Sequence, residues 1–214
     1  MINKIKVIAA SAVLMILTSV SSHAIDGFSA GITGTWGAYE ASGSEKVATS
    51  KQTDSGEIEA TYGSIFAEVD LGMISLGVDH IPFEIDSEAV TNVRADTVTS
   101  GTNTAFVTVS DITTLYALMP IGEQGIYAKL GFITMEVSTN ENLATGGSYG
   151  NLTLDGVTAS IGYEHDANSE MFFRVSLDMV DFEDYALTNK NNSDISITGN
   201  LDGFSGSVTL GKRF

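Results

Sequence analysis

Apolar and polar residues alternate in short stretches along most of this chain, with polar, glycine-rich segments between them. Such period-two patterning marks β-strands whose two faces meet different surroundings. Eight strands can be read. In the first, over about 28–39, Phe28, Ala30, Ile32, Gly34, Trp36 and Ala38 share one face, opposite Ser29, Gly31, Thr33, Thr35 and Gly37. The second, over about 57–70, sets Ile65, Ala67 and Val69 against Phe66, Glu68 and Asp70; the third sets Ile74, Leu76 and Val78 against Ser75, Gly77 and Asp79. The fourth, over about 106–119, alternates least regularly; Ile112, Tyr116 and Leu118 are assigned outward, which turns Asp111 and Thr113 inward. The fifth, over about 126–137, opposes Ile126, Ala128, Leu130 and Phe132 to Tyr127, Lys129 and Gly131. The sixth opposes Val157, Ala159, Ile161 and Tyr163 to Thr158, Ser160, Gly162 and Glu164. The seventh opposes Met171, Phe173, Val175, Leu177 and Met179 to Phe172, Arg174, Ser176 and Asp178. The eighth opposes Phe204, Gly206, Val208, Leu210 and Phe214 to Ser205, Ser207, Thr209, Gly211 and Arg213.

The connections alternate in length. Those near 71–73, 120–125 and 165–169 are short, whereas 40–56, 81–105, 138–151 and 183–203 read as long loops. Short turns at one end and long loops at the other are the habit of membrane barrels, whose short turns face the periplasm. No helix, sequence repeat or interdomain linker is read after the leader.

Residues 1–24 have the form of a cleaved signal peptide: Lys4 and Lys6, an apolar run from Val7 to Leu17, then Ser22-His23-Ala24 with small residues at the positions a peptidase reads. The apolar run is short against the roughly 20 residues a spanning helix needs. Residues 25–214 then form one β-domain. The chain has no cysteine, so disulfides, thiol chemistry, cysteine zinc sites and a lipoprotein anchor have no residue to use. The formal net charge is −17, and loss of the two leader lysines makes it −19. A surface this acidic argues against nucleic acid as a partner.

Alternation alone does not separate a membrane barrel from a soluble ligand-binding one, where apolar faces turn inward. Two features favour the membrane. The apolar rows hold almost no charge, while the opposite rows carry Glu68, Asp70, Asp79, Lys129, Glu164, Arg174 and Asp178, and a small soluble core would bury those ions at high cost. Aromatic residues also gather near strand ends: Phe28, Tyr116, Tyr127, Tyr163 and Phe214 at one rim, Trp36, Tyr39, Tyr62 and Phe182 at the other, as in interfacial girdles.

The leader, the strand rhythm and the ending Ser207-Val208-Thr209-Leu210-Gly211-Lys212-Arg213-Phe214 resemble the small eight-stranded outer-membrane proteins of the outer membrane protein A and X type, which share the porin-like barrel architecture. The resemblance implies an all-β, eight-stranded antiparallel up-and-down transmembrane barrel in the outer membrane of a Gram-negative bacterium. It also implies that Val208, Leu210 and Phe214 form the signal read by the barrel assembly machinery. Lys212 departs from that signal, which carries an apolar or aromatic residue at this position; a snorkelling side chain would reconcile it with the interface.

The inward charges Glu68, Asp70, Asp79, Lys129, Glu164, Arg174 and Asp178 admit two readings: a gate or acidic path for small solutes or cations, or a static network filling a narrow interior. For catalysis of the kind seen in lipid-modifying barrels, His80 beside Asp79, with Ser110 on the next strand, is the nearest arrangement, and no motif supports it; His165 falls at a turn. The larger omptin protease barrels exceed what a chain of this length forms. Acidic loop residues Glu45, Asp54, Glu57, Glu84, Asp86, Glu88 and Asp96 match no defined calcium-loop spacing. The expectation is a monomeric, non-enzymatic barrel without cofactor or metal, in contact with outer-membrane lipids and lipopolysaccharide, with a structural or surface-interaction role. A narrow acidic channel is the alternative, followed by a lipid-modifying enzyme and a soluble periplasmic barrel.

Overall fold

The computed structural model describes residues 27–47, 50–95, 100–143 and 148–214. The leader assigned to 1–24 lies outside them. The described chain is built from β-strands: β1 (Phe28–Val47), β2 (Ser50–Asp70), β3 (Ser75–His80), β4 (Ile85–Asp86), β5 (Val90–Ala95), β6 (Ser100–Ile121), β7 (Ile126–Asn142), β8 (Leu152–Asp166), β9 (Met171–Phe182), β10 (Tyr185–Thr188) and β11 (Ile195–Arg213).

These eleven segments make a ring of eight. The antiparallel order is β1-β2-β3-β6-β7-β8-β9-β11, closed by β11 on β1. Segments β3, β4 and β5 follow one another along β6, and β9 and β10 follow one another along β11. The closing seam runs from Ser29↔Arg213 to Val47↔Ile195, and the Phe214 N–H donates to the Phe28 carbonyl at 2.9 Å. Closure matters because an open strand edge in lipid leaves polar backbone groups unpaired, at several kcal/mol each.

The long loops expected at 40–56, 81–105, 138–151 and 183–203 are mostly strand. β1 and β2 pair continuously up to Val47↔Ser50, β5 pairs with the start of β6, β7 runs on to Asn142, and β11 begins at Ile195. The walls therefore rise well beyond the apolar belt. Their polar composition suggested loops, and the reason for it is an inversion of the two faces. On β9, Phe173, Val175, Leu177 and Met179 face out; the next residues on that face are Asp181 and Glu183, while Val180 and Phe182 turn in. On β7 the outward row ends at Phe132, and Ile133, Met135 and Val137 face in above it. On β8 the outward Val157 gives way to Asp155 and Thr153, with Leu154 inside. Low on the barrel the exterior is apolar and the interior polar. Higher up the exterior is polar, and Ile81, Ile112, Met135, Val137, Leu154 and Phe182 pack into a core. The lower half is built for lipid and the upper half for water.

The fourth strand of the ring corrects the expected phase. Tyr116 and Leu118 are buried inside, Leu115 and Met119 are exposed outside, and Ile112 joins the upper core. Two features hid this. Leu115, Ala117 and Met119 are as apolar as the residues facing in, so alternation is silent there. In addition, the pairing with β7 shifts between Ser110 and Thr113, where Asp111 has φ of 52°. This bulge moves the inward row from Leu118, Tyr116 and Thr114 below to Val109 and Val107 above.

Candidate functional site in the barrel interior

Near the short-turn end, the interior is closed by a layer of aromatic and charged side chains. Arg174 on β9 donates from Nη1 and Nη2 to the two oxygens of Glu68 on β2, each at 2.8 Å, and from Nε to Glu164 Oε2 on β8 at 2.6 Å. The Tyr116 hydroxyl of β6 donates to Glu68 Oε2 at 3.0 Å. The guanidinium lies 4.6 Å from the Phe172 ring, 5.6 Å from that of Tyr127 and 5.9 Å from that of Phe66. Phe172 is 1 % exposed. Two ions are tolerated here because each has a charged partner, and the paired forks and ring faces replace the lost water. Below this layer, Arg213 bridges Glu164 and Asp166 on β8.

A second charged group lies higher. Lys129 Nζ is 3.7 Å from Asp178 Oδ1 and 5.3 Å from the Tyr116 ring centre. Asp178 also accepts from Ser176 at 3.1 Å and from Ser207 at 2.9 Å. Asp79 on β3 accepts from the Ser64 hydroxyl at 2.9 Å and makes no ion pair among the described residues. Above this level the Tyr39 and Tyr62 hydroxyls meet at 2.7 Å across β1 and β2. Between the polar floor and the upper apolar core lies a cavity of about 210 Å³.

The structure divides the seven lumen charges read from the sequence. Glu68, Glu164 and Arg174 form the lower cluster; Asp79, Lys129 and Asp178 lie in the middle. Asp70 belongs to neither. It is exposed beside the first short turn, where its carboxylate accepts from the Gly72 N–H at 2.7 Å, a bond that suits the positive φ of Gly72. Arg213, on the inward row of β11, was absent from the expected set because it stands next to the chain end. Tyr116 and Tyr127 are buried in the lower layer, Tyr39 and Tyr62 point inward, and Phe182 sits in the upper core, so none of the five belongs to an exterior girdle. Phe28, Trp36, Tyr163 and Phe214 do face outward, with Phe28 and Phe214 ring centres 5.7 Å apart. Val208 and Leu210 share the face of Phe214, and Lys212 Nζ lies 5.0 Å over the Phe214 ring and 3.9 Å from Glu170.

His80 shares the outward face of β3, and its Nδ1 lies 3.0 Å from Thr113 Oγ1, whereas the Asp79 carboxylate points into the barrel. His165 packs on the exterior between Tyr163 and Phe173. Asp86 accepts from the Thr108 hydroxyl at 2.7 Å, and Asp96 lies outside the described residues.

The exterior of the lower half decides where the protein resides. Phe132 is 74 % exposed, Leu177 70 % and Leu130 65 %, in rows that continue around the ring. So much apolar surface on the outside of a closed sheet requires lipid. The chain has the fold of a small outer-membrane β-barrel. The outer membrane protease OmpT of Escherichia coli superposes with a TM-score of 0.50 at 10 % identity, covering 92 % of this chain and 100 % of that one. Neisserial surface protein A matches with a TM-score of 0.39 at 13 % identity over 88 % of this chain and 98 % of its own. Ail of Yersinia pestis, solved with the heparin analogue sucrose octasulfate, matches with a TM-score of 0.36 at 8 % identity over 86 % and 99 %. No protein-family model and no curated protein sequence matches the chain. This outer-membrane barrel thus combines a membrane-embedded lower half, an interior layer of paired charges and an upper half with a core of its own.

Proposed function

We propose that the protein is a non-enzymatic, non-conducting barrel that carries a rigid acidic platform above the outer membrane. The observation that carries this reading is the filling of the lumen at two levels: the Arg174–Glu68 layer below and the Ile81, Ile112, Met135 and Phe182 core above. A hydrated ion meets charge already paired at the first and a mainly apolar lining, broken by Tyr62, at the second. The walls above the belt supply the platform. Glu57, Glu40, Asp202 and Asp181 stand directly opposite one another on four adjacent strands. Like charges in such register repel, and divalent cations shared with lipopolysaccharide phosphates would relieve that repulsion. Lipopolysaccharide is the surface partner this reading names.

Planar bilayers test it. The refolded protein is expected to give no discrete current steps. Steps of reproducible size that change in Arg174→Ala would replace this reading with a channel lined by the same charges.

A further inference from the structure

Where the eight strands should pair without interruption, one seam stops short. β2 and β3 pair from Asp70↔Ser75 up to Ile65↔His80. Above that point β2 continues to Ser50 along β1, while β4 and β5 pair with β6 and not with β2. Among the described residues, the β2 edge above Ile65 therefore has no strand beside it. Ile58, on that edge, lines the 210 Å³ cavity and is nevertheless 42 % exposed. The cavity thus borders the seam where this edge of β2 has no backbone partner.

The chamber has two chemistries. Ile81, Ile112, Ile133, Met135, Val180 and Phe182 supply an apolar wall. The residues lining the chamber carry only three charges, those of Asp79, Asp178 and Lys129. Lys129 is engaged with Asp178 and with the Tyr116 ring, and Asp178 has two serine hydroxyls besides. Asp79 accepts one hydrogen bond, from the Ser64 hydroxyl, and Lys129 attracts it only from beyond ion-pair distance. It also stands at the base of that seam, paired with Phe66 and Thr114 just below the last β2–β3 rung. Among the described residues, one carboxylate has no cation bonded to it, at the boundary between polar floor and apolar wall, beside the unpaired β2 edge. A partly buried carboxylate calls for a cation that brings its own hydrogen-bond donors.

We propose that this chamber binds a small primary ammonium compound with an aryl or short alkyl body, entering through the seam between β2 and the β3–β4 connection. The ammonium donates to Asp79, and the apolar body lies against Ile112, Ile133 and Phe182. Size sets the class: an apolar cavity of roughly 150 Å³ accepts benzene, so about 210 Å³ takes one ring with a two-carbon amine arm. The inference goes beyond the platform reading and does not depend on whether the lumen conducts.

Calorimetric titration of the full chain, refolded in maltoside micelles, tests it with 2-phenylethylamine and its neutral counterpart 2-phenylethanol. The amine is expected to bind at least about tenfold more tightly, the usual worth of a hydrogen bond to a charged group. Asp79→Asn should remove that preference. Ile133→Trp, which fills the chamber and leaves its charges alone, should abolish binding of both compounds. Heat-modifiable gel mobility establishes that each variant is folded. Equal affinity for amine and alcohol, an unchanged preference in Asp79→Asn, or no binding by folded wild type would each overturn the proposal. Should Asp79→Asn fail to fold, retention of amine binding in Ile133→Trp would overturn it alone.

Discussion

Arg174 grips Glu68 across the barrel with two hydrogen bonds of 2.8 Å, joining β9 and β2, strands that share no backbone pairing. The contact spans the ring and fixes its cross-section at the level of Phe172 and Tyr127. Breaking a buried pair from one side strands the other charge. Arg174→Ala and Glu68→Ala are each expected to cost about 3–5 kcal/mol in urea unfolding, followed by the loss of the folded band on gels. The double variant Arg174→Met with Glu68→Leu should recover most of that loss. Single variants within about 1 kcal/mol of wild type would show that the layer is solvated.

Trp36 is the chain's single tryptophan, and it is 58 % exposed on the outward face of β1. In lipid vesicles its emission should be blue-shifted and strongly quenched by lipids brominated on the acyl chains. Quenching by aqueous iodide, with none from bromolipid, would put this face of β1 in water and shift the boundary of the belt.

Aromatic rings in the lower layer lie flat against glycines of the neighbouring strand: Phe172 over Gly211, Tyr116 over Gly77 and Tyr127 over Gly162. A methyl group at Gly211 would collide with a ring that has nowhere to go. Gly211→Ala should therefore destabilise by about 1–3 kcal/mol, as overpacked cores do. Gly34 on the exterior has open space around it, so Gly34→Ala should be near neutral by the same urea measurement.

The bulge at Asp111 adopts φ of 52°, a conformation that β-branched residues resist. Asp111→Val is expected to cost about 1–3 kcal/mol, and Asp111→Gly to be neutral or mildly stabilising. Thermal melting of the refolded protein compares them directly. If the two variants melt together, the bulge is not held in that conformation.

Much of the membrane half was legible in the chain. On β9, strict alternation from Met171 to Met179 puts Leu177 in lipid and Arg174 inside, and this needs only local geometry. The inversion of faces also left a trace. Phe132-Ile133 and Met179-Val180 are adjacent apolar pairs, each marking where the buried side of the strand changes. The acidic residues beyond them looked like loop because polar exteriors and loops share a composition. The interior aromatics were misplaced for a comparable reason: Tyr116 and Tyr127 lie near strand ends, and residues of that type serve a girdle as well as a plug.

The sequence by itself determined that these strands have two unlike faces, that one face suits lipid, and that Phe214 shares the outward row with Val208 and Leu210. Period two dictates this, since neighbouring residues on a strand must point opposite ways. It is silent on which residues meet across the ring. That Arg174 reaches Glu68, that Tyr116 caps the same carboxylate, and that Asp79 is left beside an unpaired strand edge depend on register, closure and the bulge at Asp111. Those are set by the packing of all eight strands at once, so only the tertiary structure decided them.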